Sequence, residues 1–409
     1  MTRKNLIFLL ATSTLALPAT AQANGYYLQE VSASSVGQAG ATMAQASDPS
    51  TVFSNPAGMT RLEGFQVQAN LLLYMALSTS FQGPAPNAPK ENMDAQVFPI
   101  PTLFLNWKVN DWLAVGFGSY MAYGLGVKWP ERWSGYSLIR DAKIESYQLQ
   151  PSIAIGPFKG VSLGVGLDVL IGSVDMTRGL QLADGNWGKF RLGGSSSAVG
   201  FNAGLLYEPI RDVLRVGATF RSAMKLSLDS GKGQFDVPPA LQETLRNQTV
   251  QTSLTTPWSV GIGARYFPTR KLGLEVDGQL VGWSTFNELR FTFADPALNQ
   301  VQKKDFFNAV QLRVGGEYKV DRTSVRTGFL FDGNPIPDET LDPLLPDSYR
   351  FGFAGGVGYA FFEKLDKLRA DLGYMFVYVP PRTVGAPNPF PGTYHSNVHV
   401  LNIGLSARF

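Results

Sequence analysis

Gly160-Val161-Ser162-Leu163-Gly164 has the G-x-S-x-G spacing that places a nucleophilic serine on a sharp turn between a strand and a helix. Such a serine needs a histidine base, and the chain has two, His395 and His399. The serine's surroundings argue against this chemistry. Polarity alternates with period two from Val161 to Ile171, which leaves no room for a turn and helix. The histidines are four residues apart, which is one face of a helix. On a strand the same spacing holds them about 13 Å apart, too far for one metal ion. Cysteine is absent, which removes disulfides, thiolate metal sites and cysteine nucleophiles. No G-x-x-x-x-G-K-[ST] occurs, and no G-x-G gains its third glycine. Catalytic residues, metal and cofactor are therefore all expected to be none, and transport, if any, runs downhill.

What remains is binding chemistry. Arg221, Arg265, Arg313, Arg326 and Arg350 occupy the polar positions of alternating segments. In low-dielectric surroundings an arginine holds a carboxylate well, often by two hydrogen bonds. The alternative for each is a structural pair with an acid such as Glu275, Asp277, Glu317 or Asp371. Asn55-Pro56-Ala57 is a second feature. Proline fixes φ, lacks an N–H and restricts the residue before it, so the tripeptide reads as a rigid turn, either a gate element or an ordinary turn.

The elements that carry these residues are strands. Leu401, Ile403, Leu405, Ala407 and Phe409 alternate with Asn402, Gly404, Ser406 and Arg408. Similar splits run through 161–169, 258–266, 310–319 and 368–376. One face is apolar and the other small and polar. The longest apolar run after the N-terminus is Leu71–Leu77, far short of the roughly 20 residues a membrane helix needs. A closed β-barrel is the other way to span a bilayer. A soluble sandwich also alternates, but glycines, serines and lone arginines suit a confined lumen better than an open surface. Trp107, Trp112, Tyr207, Trp258, Tyr266, Trp283 and Tyr374 fall near strand ends, as aromatic girdles require.

Strands are expected to begin near residues 65, 97, 112, 144, 160, 198, 213, 254, 271, 308, 323, 349, 367 and 396. That is an even number, about fourteen. Short connections fall at 110–111, 157–159, 208–212, 268–270, 321–322 and 362–367, on the periplasmic rim. Long ones fall at 77–96, 126–143, 175–197, 226–253, 284–307, 333–348 and 379–395, outside. The expected fold is all-β: a transmembrane antiparallel barrel of about 14 strands over 65–409.

The N-terminus reads differently. Arg3 and Lys4, the apolar Leu6–Leu17 and Ala21-Gln22-Ala23 form a signal peptide over 1–23, too short for an anchor. Residues 24–64 do not alternate and are dense in serine, alanine and glycine. Some forty residues cannot bury a core alone. They are expected to plug the barrel as a hatch rather than to form a periplasmic tail. A net charge of +3 is too small for a nucleic-acid binder. With 44% apolar residues the chain is not disordered.

The stretch 24–41 (NGYYLQEVSASSVGQAGA) with Asn55-Pro56-Ala57-Gly58-Met59 resembles the FadL/TodX family of outer-membrane transporters of long-chain fatty acids and hydrocarbons. Supporting stretches are Tyr123-Gly124-Leu125-Gly126, Trp129-Pro130, Gly200–Gly204, Tyr207-Glu208-Pro209, Phe220-Arg221-Ser222, Thr256-Pro257-Trp258, Trp283–Phe286 and Asp332–Arg350. The resemblance covers the whole chain beyond the signal peptide. It implies a hatch that rearranges near Asn55, Pro56 and Ala57, and an inward kink in strand three, where Gly116, Gly118, Gly124 and Gly126 lie. It also implies a pocket arginine, which falls at Arg350, with Arg326 and Arg221 as further head-group candidates. A second family arginine, near the end of strand four, is replaced here by Ile155-Gly156. That departure leaves room for uncharged aromatic substrates. The resemblance implies passive uptake of hydrophobic small molecules, most of all long-chain fatty acids, in the outer membrane of a Gram-negative bacterium. A monomer is expected, in contact with outer-membrane lipid and lipopolysaccharide. Hydrocarbon uptake is the alternative, followed by a structural or adhesive barrel, a general porin or a barrel lipase.

Overall fold

Alternating polarity dissolves in a bilayer only if every backbone group finds a partner and the apolar face points outward. The computed structural model turns its apolar face outward and joins its strands into one hydrogen-bonded cylinder. It describes residues 25–182, 185–361 and 368–409. The expected signal peptide at 1–23, Asn24 and the short turn at 362–367 lie outside the described residues.

Fourteen strands form the wall. They are β1 (Phe65–Ala76), β2 (Gln96–Lys108), β3 (Leu113–Tyr120, resuming at Gly124–Lys128), β4 (Asp141–Phe158) and β5 (Val161–Gln181). Next come β6 (Trp187–Ile210), β7 (Leu214–Arg221, resuming at Lys225–Asp236), β8 (Gln248–Thr255, resuming at Trp258–Tyr266) and β9 (Leu272–Gly282). The last are β10 (Ala309–Val320), β11 (Thr323–Asp332), β12 (Arg350–Ala360), β13 (Leu368–Val384) and β14 (Gly392–Arg408). Each pairs antiparallel with the next, and β14 pairs with β1 from Gln66↔Arg408 to Ala76↔Val398, which closes the cylinder.

The two faces separate as the alternation requires. On β5, Leu163, Val165 and Leu167 are exposed while Ser162 and Asp168 are buried. Trp107, Trp112, Phe158, Tyr207 and Phe409 project from the short-turn end. Trp283 departs from the expected girdle. It sits in a 3-10 turn after β9, is fully buried, and packs edge-on against Tyr26 with ring centres 4.7 Å apart.

Several long connections carry more strand than expected. β5 and β6 stay paired up to Gln181↔Trp187, across most of 175–197. Beyond the lipid no face need be apolar, so Gly193-Gly194-Ser195-Ser196-Ser197 ladders without alternating. Similarly, the connection 77–96 holds a hairpin (Ser80–Gln82, Lys90–Asn92), and 284–307 holds another (Glu288–Phe293, Gln300–Lys303).

Residues 25–64 run inside the cylinder. Two single-turn helices, α1 (Ala33–Val36) and α2 (Thr51–Ser54), are followed by a 3-10 turn over Pro56–Arg61. Every residue from 25 to 39 is buried. The wall accepts this segment through its small residues. A Cβ on Gly373 would strike the Ala33 carbonyl, and one on Gly328 the backbone of Gln38. Wall acids hold it by its backbone: Asp277 Oδ2 accepts from Thr42 N (2.8 Å) and Met43 N (3.1 Å), and Glu275 Oε1 accepts from Ala44 N (2.7 Å).

Candidate functional site

The ladder between β2 and β3 runs from Lys108↔Ala114 only as far as Leu103↔Ser119. Beyond it, Met121, Ala122 and Tyr123 leave the wall and are buried. β3 then resumes at Gly124 against β4. The backbone groups at this break are satisfied from inside. Ala122 N donates to Gln148 Oε1 (2.9 Å), and Tyr123 N donates to Ser146 Oγ (3.2 Å). Leu28 N donates to Ala122 O (2.7 Å), and Gly124 N donates to Tyr26 O (3.0 Å). The first residues of the inner segment thus stand in for β2 as the partner of β3.

The four strand-three glycines flank the break. Gly116 lies against Met59 and Val52, and Gly118 against Tyr120 and Phe104. Gly124 touches Met121 and Leu28, while Gly126 lies beneath the Phe98 ring of β2.

Behind the break lies a cavity of about 530 Å³, a volume typical of small-molecule sites, which span roughly 300–1,000 Å³. Leu28, Ile100, Met121, Leu125, Val127 and Val398 supply apolar walls, with Tyr74 and Arg350 among them. Arg350, at the outer end of β12, is the head-group candidate that reaches this cavity. Its Nε and Nη2 donate to Asp347 Oδ1 (3.0 Å) and Oδ2 (2.9 Å), and Nη2 also donates to Gly25 O (2.7 Å). Tyr26, which lines the same space, is held neutral because burial raises its phenol pKa.

Arg326 and Arg221 lie elsewhere. Arg326 bridges Asp371 (2.6 Å) and Glu317 (3.0 Å). Arg221 pairs with Asp168 (2.7 Å) and donates to the Tyr120 hydroxyl (3.0 Å), bordering a separate pocket of about 40 Å³. Arg265 and Arg313 are likewise paired, with Glu275 (2.9 Å) and Glu30 (3.2 Å).

Asn55 caps the 3-10 turn. Its Oδ1 accepts from Ala57 N (3.2 Å), and its Nδ2 donates to Met43 O (2.8 Å) and to Leu205 O of β6 (3.0 Å). The turn sits on bare backbone: a Cβ on Gly164 would meet Ala57 N and Pro56 C, and one on Gly204 the Asn55 side chain. Gly160–Gly164, the serine motif, forms the turn into β5 and its opening residues, and Ser162 Oγ accepts from Thr60 Oγ1 (2.8 Å). His399 Nδ1 shares a hydrogen bond with the Tyr374 hydroxyl (2.8 Å).

Two further pockets lie toward the long loops. One, of about 90 Å³, is walled by residues that include Val174, Leu226, Leu254, Leu289 and Phe291. A second, of about 40 Å³, shares Leu254 and Leu289 with the first and Tyr26 and Leu125 with the large cavity. Lys304 lines this second pocket, buried and paired with Asp342 at 2.5 Å. Sequence reading missed it, because a lysine within a long connection gives no signal of burial.

A family model described as outer membrane protein transport protein (OMPP1/FadL/TodX) matches residues 14–409. The chain belongs to this family. The long-chain fatty acid transport protein of Shigella flexneri is 24% identical over 412 residues, covering 90% of this chain and 91% of that one. The structure of a Pseudomonas aeruginosa FadL homologue superposes with a TM-score of 0.84 at 21% identity, covering 94% and 100% of the two chains. The toluene transporter TodX of Pseudomonas putida does so with a TM-score of 0.73 at 15% identity, again over 94% and 100%. FadL/TodX proteins are outer-membrane transporters of hydrophobic compounds in Gram-negative bacteria, and this barrel is one of that family.

Proposed function

We propose that this FadL/TodX member takes up long-chain fatty acids passively, through the apolar cavity and out sideways through the wall. The observation that carries the reading is one cavity with a cation at one side and a break in the wall at the other. Arg350 offers a guanidinium to a carboxylate, while Ile100, Met121 and Leu125 offer apolar surface to a chain. Beyond the break lies lipid, where an acyl chain is at home. The loop-side pockets share wall residues with the cavity, which supports an entry path from the loops, with Lys304, paired with Asp342, beside it. Asn55, Pro56 and Ala57 act as the hatch element whose shift opens the path. The turn is rigid, and its polar ties to the wall are few: Asn55 to Leu205 O, Thr60 to Ser162 and Arg61 to Glu208.

A second reading is uptake of monoaromatic hydrocarbons. It is favoured by the commitment of Arg350 to Asp347 and by the Ile155-Gly156 departure. Competition binding to the purified barrel separates the two. Oleate displaced by other carboxylates but not by toluene supports the first, and toluene displacing oleate at comparable concentration supports the second. A barrel that binds neither refutes both.

A further inference from the structure

We propose that Pro99 and Pro101 of β2 hold the wall open, by removing the two backbone donors that would otherwise zip β2 to β3. The functional weight of this rests on the sideways route proposed above, but the structural claim does not.

The hydrogen-bond directions of β2 are fixed at its lower end. Lys108 N donates toward β1, to Gly64 O (3.1 Å), and Val109 N donates toward β3, to Leu113 O (2.9 Å). Directions alternate along a strand. Through β2, whose register with β1 is unbroken, odd-numbered residues therefore face β3 and even-numbered ones face β1. Three odd residues border the break, and two are Pro99 and Pro101. Their pairs with Leu73 and Leu71 of β1 are the non-hydrogen-bonded kind, so the prolines cost that ladder nothing.

Continuing the β2–β3 register past Leu103↔Ser119 sets Pro101 opposite Met121 and Pro99 opposite Tyr123. Those are two of the three residues where β3 leaves the wall. An unpaired N–H facing hydrocarbon is costly, and proline has none to leave unpaired. The edge can thus stay open in lipid where an ordinary strand could not. β3 itself gains one residue on β4 across the break, from Tyr120↔Gln148 to Gly124↔Glu145, which turns its chain inward. The slit closes again just outside β2, where the alternation has slipped by one residue and Asp94 N donates to Lys128 O (2.8 Å). The bulge explains why β3 leaves, and the prolines explain how the β2 edge stays unpaired where it does. Glycine on β3 does not account for the break, since the residues that leave are methionine, alanine and tyrosine. Phe98 and Ile100, the even residues between, face inward and line the cavity.

The test restores the donors. Pro99→Val/Pro101→Val is inserted in lipid nanodiscs as the full chain, with amide exchange read over 121–127. Pro101→Val alone supplies a half-restored case. Each restored hydrogen bond is expected to slow local exchange by about tenfold, with heat-modifiable migration on gels reporting that the barrel is folded. Oleate uptake should fall several-fold while oleate binding in detergent stays within about twofold. Exchange over 121–127 unchanged in both folded variants overturns the proposal. A separate arm cross-links a cysteine pair at Phe98 and Gly126. If that closure leaves uptake unaltered, the sideways route fails, and the exchange data still decide the role of the prolines.

Discussion

Replacing Arg350 tests whether the cavity is built for a carboxylate. Its guanidinium is mostly buried and forks onto Asp347, whose side chain is only 4% exposed. Arg350→Ala alone therefore does two things. It removes a charge-assisted bond to a ligand head group, worth about 1.5–3 kcal/mol, or roughly 10- to 150-fold in affinity. It also leaves Asp347 buried and unpaired, which repels any carboxylate and strains the fold. The paired variant Arg350→Ala/Asp347→Ala removes the second effect. By titration calorimetry in detergent, the paired variant is expected to weaken oleate about 10- to 100-fold while changing toluene less than about twofold. Arg350→Ala should weaken oleate further still, and Arg350→Lys should fall between wild type and the paired variant, since lysine keeps the charge without the fork. Equal losses for oleate and toluene in the paired variant would refute the head-group role, as would unchanged oleate binding.

Three other substitutions probe the inner segment and its seat. Asn55→Ala removes the donations to Met43 O and Leu205 O and a cap worth about 1 kcal/mol. Oleate uptake should change several-fold while the thermal transition of the barrel on gels does not. Gly164→Val pushes a side chain into Pro56 and Ala57. The displaced turn should raise single-channel conductance in planar bilayers, and a conductance equal to wild type would count against the turn as a stopper. Arg326→Met removes the cation shared by Asp371 and Glu317, which keep Arg369 and, at longer range, Arg265 and Lys319, so the cost is the lost charge-assisted bonding of about 1.5–3 kcal/mol. It should lower the unfolding temperature and leave the oleate-to-toluene affinity ratio untouched.

The wall was legible in the sequence because a lipid-spanning strand obeys one rule at every second residue. Leu163, Val165 and Leu167 had to face fat, so alternation marked β5 directly. The rule stops at the edge of the lipid. For that reason alternation marks no strand through Gly193–Ser197, and Trp283 carries a girdle signature although the chain has already turned inward there. Ion pairing was legible only as a set of possibilities. Five arginines and several acids share one face, and sequence cannot say that Arg326 meets Asp371 while Arg350 meets Asp347. The family resemblance points to the glycines of strand three for the kink. The stronger signal lay one strand away, in Phe98-Pro99-Ile100-Pro101, because proline inside a strand is tolerated only at an edge.

Polarity inside the bore is also divided along its axis. Arg265, Glu275, Glu317, Arg326 and Asp371 all stand near the short-turn ends of their strands. The large cavity draws on the loop-side ends of β1, β2, β13 and β14. The inner segment bridges these two zones. Its middle is tied to wall carboxylates through backbone N–H groups, while Tyr26 and Leu28 reach the apolar zone and patch the break in β3. A shift at the Asn55 turn and a change at the wall opening therefore involve one continuous piece of chain. Leu28 and Tyr26 line the cavity, and the same residues' backbone completes β3. On the reading proposed above, oleate bound in the cavity should therefore change amide exchange at Leu28 and Gly124, and exchange there that ignores bound oleate would separate the cavity from the wall.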